Sequence, residues 1–122
     1  MYELEFNLPG LPMTRNQVQS KHWQCRHKDT VWWKEQIAAV VAGREPPRPL
    51  LLARLELTRY SSGQQMDIDN LYGSWKPVID GLVTSGILED DKPAVVTELK
   101  CEHFKAKPRE GYIKVRVEEI EH

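Results

Sequence analysis

Residues 67 to 91 carry a concentrated set of groups able to do chemistry. Asp67 and Asp69 stand one residue apart in "DIDNL", Lys76 and Asp80 stand four apart in "KPVID", and Glu89, Asp90 and Asp91 close the set in "ILEDD". Like charges repel, so a fold that draws such carboxylates together usually holds a cation between them. Hard oxygen donors that leave coordination positions open suit Mg²⁺, with Mn²⁺ as a possible substitute. The chemistry implied is phosphoryl transfer: an activated water attacks a phosphorus and charge is stabilised on the non-bridging oxygens. Asp-x-Asp alone is a weak signal, because other metal-dependent transfers use it too.

Asp67 and Asp69 share a direction only in extended chain, where side chains repeat every two residues; on a helix they would diverge by about 200°. The pair is therefore expected on the last extended residues before a helix, with Asp69 or Asn70 as its cap. Capping accounts for one aspartate but not for two. On a continuous helix Lys76 and Asp80 fall within about 20° of Asp69, opposite the apolar stripe. A solvated i, i+4 ion pair explains them; so does a cation set beside an acidic site to neutralise a phosphate.

The elements that must position these groups can be read from periodicity. Tyr2 to Leu8 alternates as a strand, with Leu4, Phe6 and Leu8 on one face. "PGLPMTRNQVQSKHWQCRHKD" has no sustained period and is expected to be a long loop. A helix capped by Asp29 or Thr30 should come next, with Trp33, Ile37, Val40 and Val41 as its stripe and Gly43 as its stop. Residues 50–60 read as a second strand. Leu71, Trp75, Val78, Ile79 and Leu82 form the stripe of a second helix. Pro77 fits that helix if the regular turns begin at Ser74, and otherwise kinks it. "VVTELKCEHF" and "YIKVRVEEI" read as two strands paired through "KAKPREG". The order β-α-β-α-β-β predicts an α+β fold, a mixed sheet with two helices packed on it.

At 122 residues the chain is most simply one domain. The N-terminus lacks a signal-peptide pattern, and no apolar run approaches the roughly 20 residues of a membrane-spanning helix. With two isolated cysteines, Cys25 and Cys101, a soluble cytoplasmic protein with no membrane partner is expected. His22 and His27 flank Cys25 without a fourth ligand, which argues against zinc. The net charge of −1 does not advertise a nucleic-acid binder, but basic residues cluster. Arg15, Lys21, Arg26 and Lys28 lie in 11–30, and Lys100, Lys105, Lys107 and Arg109 in 100–109. A mixed surface explains them; so do phosphate contacts. Trp23 in the first cluster could stack on an unpaired base, or simply pack. Trp32, Trp33 and Trp75 are assigned to core or interface.

Taken in order, "D-I-D-N-L" (67–71), "K-P-V-I-D-G-L" (76–82) and "G-I-L-E-D-D" (86–91) resemble the RusA family of Holliday-junction resolvases, phage and prophage type. A weaker likeness extends to "LPGLPMTRN", where Asn16 looks like the family's loop asparagine. The resemblance implies a homodimeric, Mg²⁺-dependent endonuclease that resolves four-way DNA junctions by paired symmetric nicks, in recombination and repair. Position by position, Asp67, Asp69 and Asp91 look like its metal-binding catalytic acids, Asp90 a neighbour able to assist, and Lys76 its essential lysine. Asn70 comes directly after the second aspartate as in the family. The sequence departs from the shortest family pattern by three extra residues, "YGS", which either loop out at Gly73 or shift Lys76 relative to the aspartates. The alternative of another class is a branched-DNA-binding protein of the same fold with weak or no cleavage. A third, a Mg²⁺ enzyme acting on small phosphorylated substrates, lacks a glycine-rich phosphate loop.

Overall fold

The structure is a computed structural model and describes residues 1–13, 23–63 and 66–121. Its elements are β1 (Glu3–Pro9), α1 (Trp23–Val41), β2 (Ala53–Ser61), α2 (Ile68–Gly73), α3 (Lys76–Thr84), β3 (Val96–Lys105) and β4 (Tyr112–Glu119). The expected α+β fold is present, with the second helix divided in two. The four strands form one mixed sheet in the order β1-β4-β2-β3. β4 pairs antiparallel with both β1 and β2, and β2 pairs parallel with β3. A parallel pair needs a crossover, which α2 and α3 supply.

Two sequence expectations fail here. β3 and β4 do not form a hairpin; β2 lies between them. Competition for the sheet centre explains it. β4 brings Ile113, Val115 and Val117, all fully buried, whereas β3 alternates charged residues and leaves Leu99 exposed. A strand of that kind belongs at an edge. Helix α1 also starts at Trp23, well before Asp29 or Thr30, and Thr30 sits inside it with its hydroxyl donating to the Arg26 carbonyl at 3.0 Å. The segment 23–29 has Trp23 and Cys25 as its only apolar residues, both exposed, so it carries no apolar period to announce a helix.

The core fills one face of the sheet. Leu4, Val117 and Leu55 form one row across the strands, Phe6, Val115, Leu57 and Cys101 the next, and Leu8, Ile113, Arg59 and His103 a third. Trp33, Ile37 and Val41 of α1 and Trp75, Val78 and Leu82 pack on these rows as one cluster. Gly43 and Gly86 stop α1 and α3 with φ of 80° and 82°. On the opposite sheet face no described residue is buried.

The helices meet where α3 presents Gly81 to Ile37. An added Cβ would lie 2.6 Å from Ile37 Cδ1 and 3.4 Å from Ile37 Cβ. Gly81→Ala is therefore expected to lose about 1 kcal/mol, overpacking outweighing the gain in helix propensity. Ile37→Val deletes the offending Cδ1 and should return most of that loss when the two are combined. Denaturant unfolding of both singles and the double checks it; strictly additive costs would mean the contact is not the cause.

Candidate functional site

Asp67, rather than Asp69 or Asn70, caps α2. Its backbone is extended at φ −67° and ψ 164°, and the Asn70 N–H donates to its Oδ1 at 2.8 Å. Asp69 lies in the first turn, exposed, with no polar partner among the described residues. Its charge there gains from the helix dipole. The two aspartates thus differ in backbone state, one extended and one helical. The Cys101 N–H reaches the Tyr72 hydroxyl at 3.4 Å, a link between α2 and β3.

The "YGS" stretch, 72–74, coincides with a break between two helices. α2 ends at Gly73, Ser74 and Trp75 form a turn, and α3 starts at Lys76 with Pro77 in its first turn, where its missing N–H costs nothing. The wheel relation between Asp69 and Lys76 lapses, because no continuous helix joins them. Lys76 instead turns to two carboxylates, Asp80 Oδ1 at 3.2 Å and Asp91 Oδ2 at 3.3 Å. Hydrogen bonding to Asp80, reinforced by Asp91, raises its pKa above that of an ordinary lysine, so it stays charged at neutral pH. Each pair is exposed and worth at most about 1 kcal/mol, so the arrangement is positional more than stabilising.

Asp91 reaches Lys76 because the chain reverses at the end of α3. Gly86 N–H donates to Val83 O at 3.1 Å and Ile87 N–H to Leu82 O at 3.0 Å, a glycine-closed helix end that turns the chain back. Ile87 and Leu88 are then buried, and Leu88 bridges to Leu50, whose carbonyl accepts from Glu89 N–H at 3.0 Å. Asp90 and Asp91 emerge from this anchored point. The Asp90 carboxyl is held below the usual range by the Asp91 N–H at 2.7 Å, and Lys92 lies 3.6 Å away.

The structure thus brings together Lys76, Asp80 and Asp91, with Asp90 adjoining. Among the described residues it does not gather Asp67, Asp69 and Asp91, or any three acid, histidine or cysteine side chains, into one metal-holding group. The donor type nevertheless suits a hard divalent cation, since all four candidate ligands are carboxylates and Asp69 is uncommitted.

Arg26, expected on a loop, lies on α1. With Asp29 and Thr30 it forms one wall of a cavity of about 300 Å³ whose other wall includes Gly73, Lys76 and Asp80. Burial pushes the Asp29 carboxyl above its ordinary value. Lys28 is exposed on the same helix, and Lys105, Lys107 and Arg109 are exposed at and beyond the end of β3. Arg15, Asn16 and Lys21 lie outside the described residues. Trp33 and Trp75 are core; Trp32 is partly exposed and packs edge-on to Trp33 at 4.7 Å.

Asp69 lines a cleft of about 600 Å³ between α2 and β3, with Ile68, Tyr72, His103 and Phe104. Sequence reasoning missed His103. It lies on a strand with no motif around it, and its role comes from three partners distant in sequence. The Met66 N–H donates to its Nδ1 at 3.3 Å, so Nε2 carries the proton and donates to Ser61 Oγ at 2.6 Å. This fixes the residue just before Asp67. Burial and then the Arg59 charge lower its pKa, favouring the neutral ring. A histidine with a depressed folded-state pKa gives stability that is complete above its unfolded value of about 6.5 and is lost as pH falls below it. The wild-type unfolding midpoint is therefore expected to fall more steeply from about pH 7 to pH 5 than that of His103→Gln. Parallel pH profiles would argue against the tether. Burial pushes the Cys101 thiol in the same cleft up to about 12, which keeps it protonated at neutral pH.

No protein-family model matches this chain, and a search of curated proteins gave no match. Among the described residues no helix is long and apolar enough to cross a membrane.

Proposed function

We propose that this chain is a Mg²⁺-dependent, structure-specific endodeoxyribonuclease that resolves four-way DNA junctions by paired nicks, of the RusA type its motifs resemble. The observation that carries the reading is the Lys76 bridge. The ammonium joins Asp80 of its own helix to Asp91 of the anchored loop, at 3.2 and 3.3 Å, and so unites the second and third acidic motifs around one cation. Bound Mg²⁺ would supply an activated water and stabilise charge on the phosphate oxygens. Asp67, Asp69 and Asp91 would hold it, with Asp90 assisting.

The chain's own groups have separate tasks. Asp69, exposed at the start of α2, offers an oxygen donor to the cleft beside β3. Lys76 holds Asp91 in place and presents positive charge to a phosphate that approaches the acids. Arg26 across the neighbouring cavity, with Lys28, Lys105, Lys107 and Arg109, would neutralise backbone phosphates. Two opposed cuts are most simply made by a two-fold homodimer.

The test is cleavage of a labelled four-way junction beside linear duplex, with Mg²⁺ or Mn²⁺ and with EDTA. Paired, symmetric, metal-dependent nicks on the junction alone are expected. A protein that binds the junction yet leaves it intact with every metal would instead be a non-catalytic branched-DNA binder, with Asp67 present as a cap.

A further inference from the structure

The open face of the sheet divides into two unlike parts. Over most of it each cation is already paired: Arg54 with Glu98, Lys100 with Glu102 at 3.0 Å, Lys114 with Glu5 at 3.0 Å and Arg116 with Glu118 at 2.7 Å. At one end stands a row of rings instead. Tyr60 pairs in register with Tyr112 on one side and Phe104 on the other. The Tyr60 and Tyr112 rings are stacked, 4.4 Å apart and 10° from parallel, and Phe104 continues the row at 5.8 Å and 30°.

Cross-strand aromatic pairing stabilises a sheet, and that alone accounts for the two tyrosines. It does not account for Phe104, which closes the row on the edge strand and remains 48% exposed. The connection 106–111 borders the same end, crossing the tip of β2 where Ala106 N–H donates to Ser61 O at 3.0 Å. Here Lys105, Lys107 and Arg109 have no ion-pair partner among the described residues, and Glu110 is the one carboxylate in the connection. Unpaired cations beside an exposed aromatic column match a ligand that has flat apolar faces and a negative backbone. Phe104 also lines the cleft that Asp69 lines.

We propose that the Tyr112–Tyr60–Phe104 column and the cations at 105, 107 and 109 bind an unpaired DNA strand, one base stacking on the outer face of Phe104 at the mouth of the Asp69 cleft. The proposal rests on the nuclease reading for its choice of DNA and gives that reading a path by which a strand leaving a junction arrives at the acids. Stacking is indifferent to base identity, so the column holds a strand without reading its sequence.

The test uses the whole chain, without metal, and a fluorescent oligothymidylate tracked by anisotropy, with a 2-aminopurine-containing single strand as a second probe. Phe104→Leu keeps apolar bulk and removes the ring. It is expected to weaken binding by about tenfold and to abolish 2-aminopurine quenching, while Phe104→Trp retains both. Replacing Lys107 and Arg109 together by alanine should lower the salt dependence of binding by roughly one counterion per lost contact, without restoring fluorescence. Wild-type affinity and quenching in Phe104→Leu would overturn the proposal. So would a wild-type protein that binds and cuts the junction but ignores the single strand, which leaves the nuclease reading intact. Ring-dependent single-strand binding with no junction cleavage under any metal supports the column and removes the nuclease.

Discussion

The proposed nuclease function predicts that Asp69→Asn reduces metal-dependent junction cleavage by about 10³-fold while leaving the fold in place. Loss of one ligand from a cation that activates water and stabilises the phosphate charge forfeits several kcal/mol in the transition state, and each ~1.4 kcal/mol is a factor of ten. The fold is spared because Asp69 is exposed and has no polar partner among the described residues. Asparagine is nearly isosteric, and only a small helix-dipole interaction is lost. Asp67 needs a different comparison, since its Oδ1 caps Asn70 at 2.8 Å. Asp67→Asn keeps a competent cap while removing the charge, whereas Asp67→Ala should lose about 1 kcal/mol of stability as well. Cleavage rates on a labelled junction, read beside thermal unfolding, separate the two. An Asp69→Asn protein that cuts like the wild type would remove the acidic cluster from the chemistry.

Trp75→Ala should unfold the protein more readily than any substitution in the acidic motifs, by about 3–5 kcal/mol. Trp75 is fully buried in the turn between α2 and α3, so it fixes both the helix that carries Asp69 and the helix that starts with Lys76. Its Nε1 is buried without a hydrogen-bond partner among the described residues. An unpaired buried donor is a cost already present in the folded state. Trp75→Phe removes that donor together with part of the ring, so the two effects oppose and the net loss should be on the order of 1 kcal/mol. Denaturant unfolding gives both values. Equal losses for Phe and Ala would mean that buried ring volume does not govern the site, because Phe keeps most of that volume and Ala none.

What the sequence determined is what a short window of chain can carry. Alternation marked the apolar face of β1, and the runs at 50–60 and in "YIKVRVEEI" marked β2 and β4. The stripe from Leu71 to Leu82 marked a largely buried face but read two helices as one, and Pro77 left open a start at Ser74 or a kink, where α3 begins at Lys76. The acidic motifs were legible too, because their residue types and spacing are local. The tertiary structure alone decided which strands pair: β4 took the sheet centre from β3 because its apolar residues bury completely, an outcome of competition between segments far apart in the chain. The start of α1 was hidden because residues 23–29 have no apolar face, so their helix carries no periodic signal. Asp67 took the cap expected of Asp69 or Asn70, a choice made by one backbone dihedral that no spacing records. The Lys76–Asp91 contact needed the helix end at Gly86 and the bridge from Leu88 to Leu50. His103 and Phe104 reached the Asp69 cleft only because β3 lies at the sheet edge beneath α2. Local chemistry is written in neighbouring residues, whereas convergence depends on which buried surfaces exclude water best, and that is settled only when the whole chain packs.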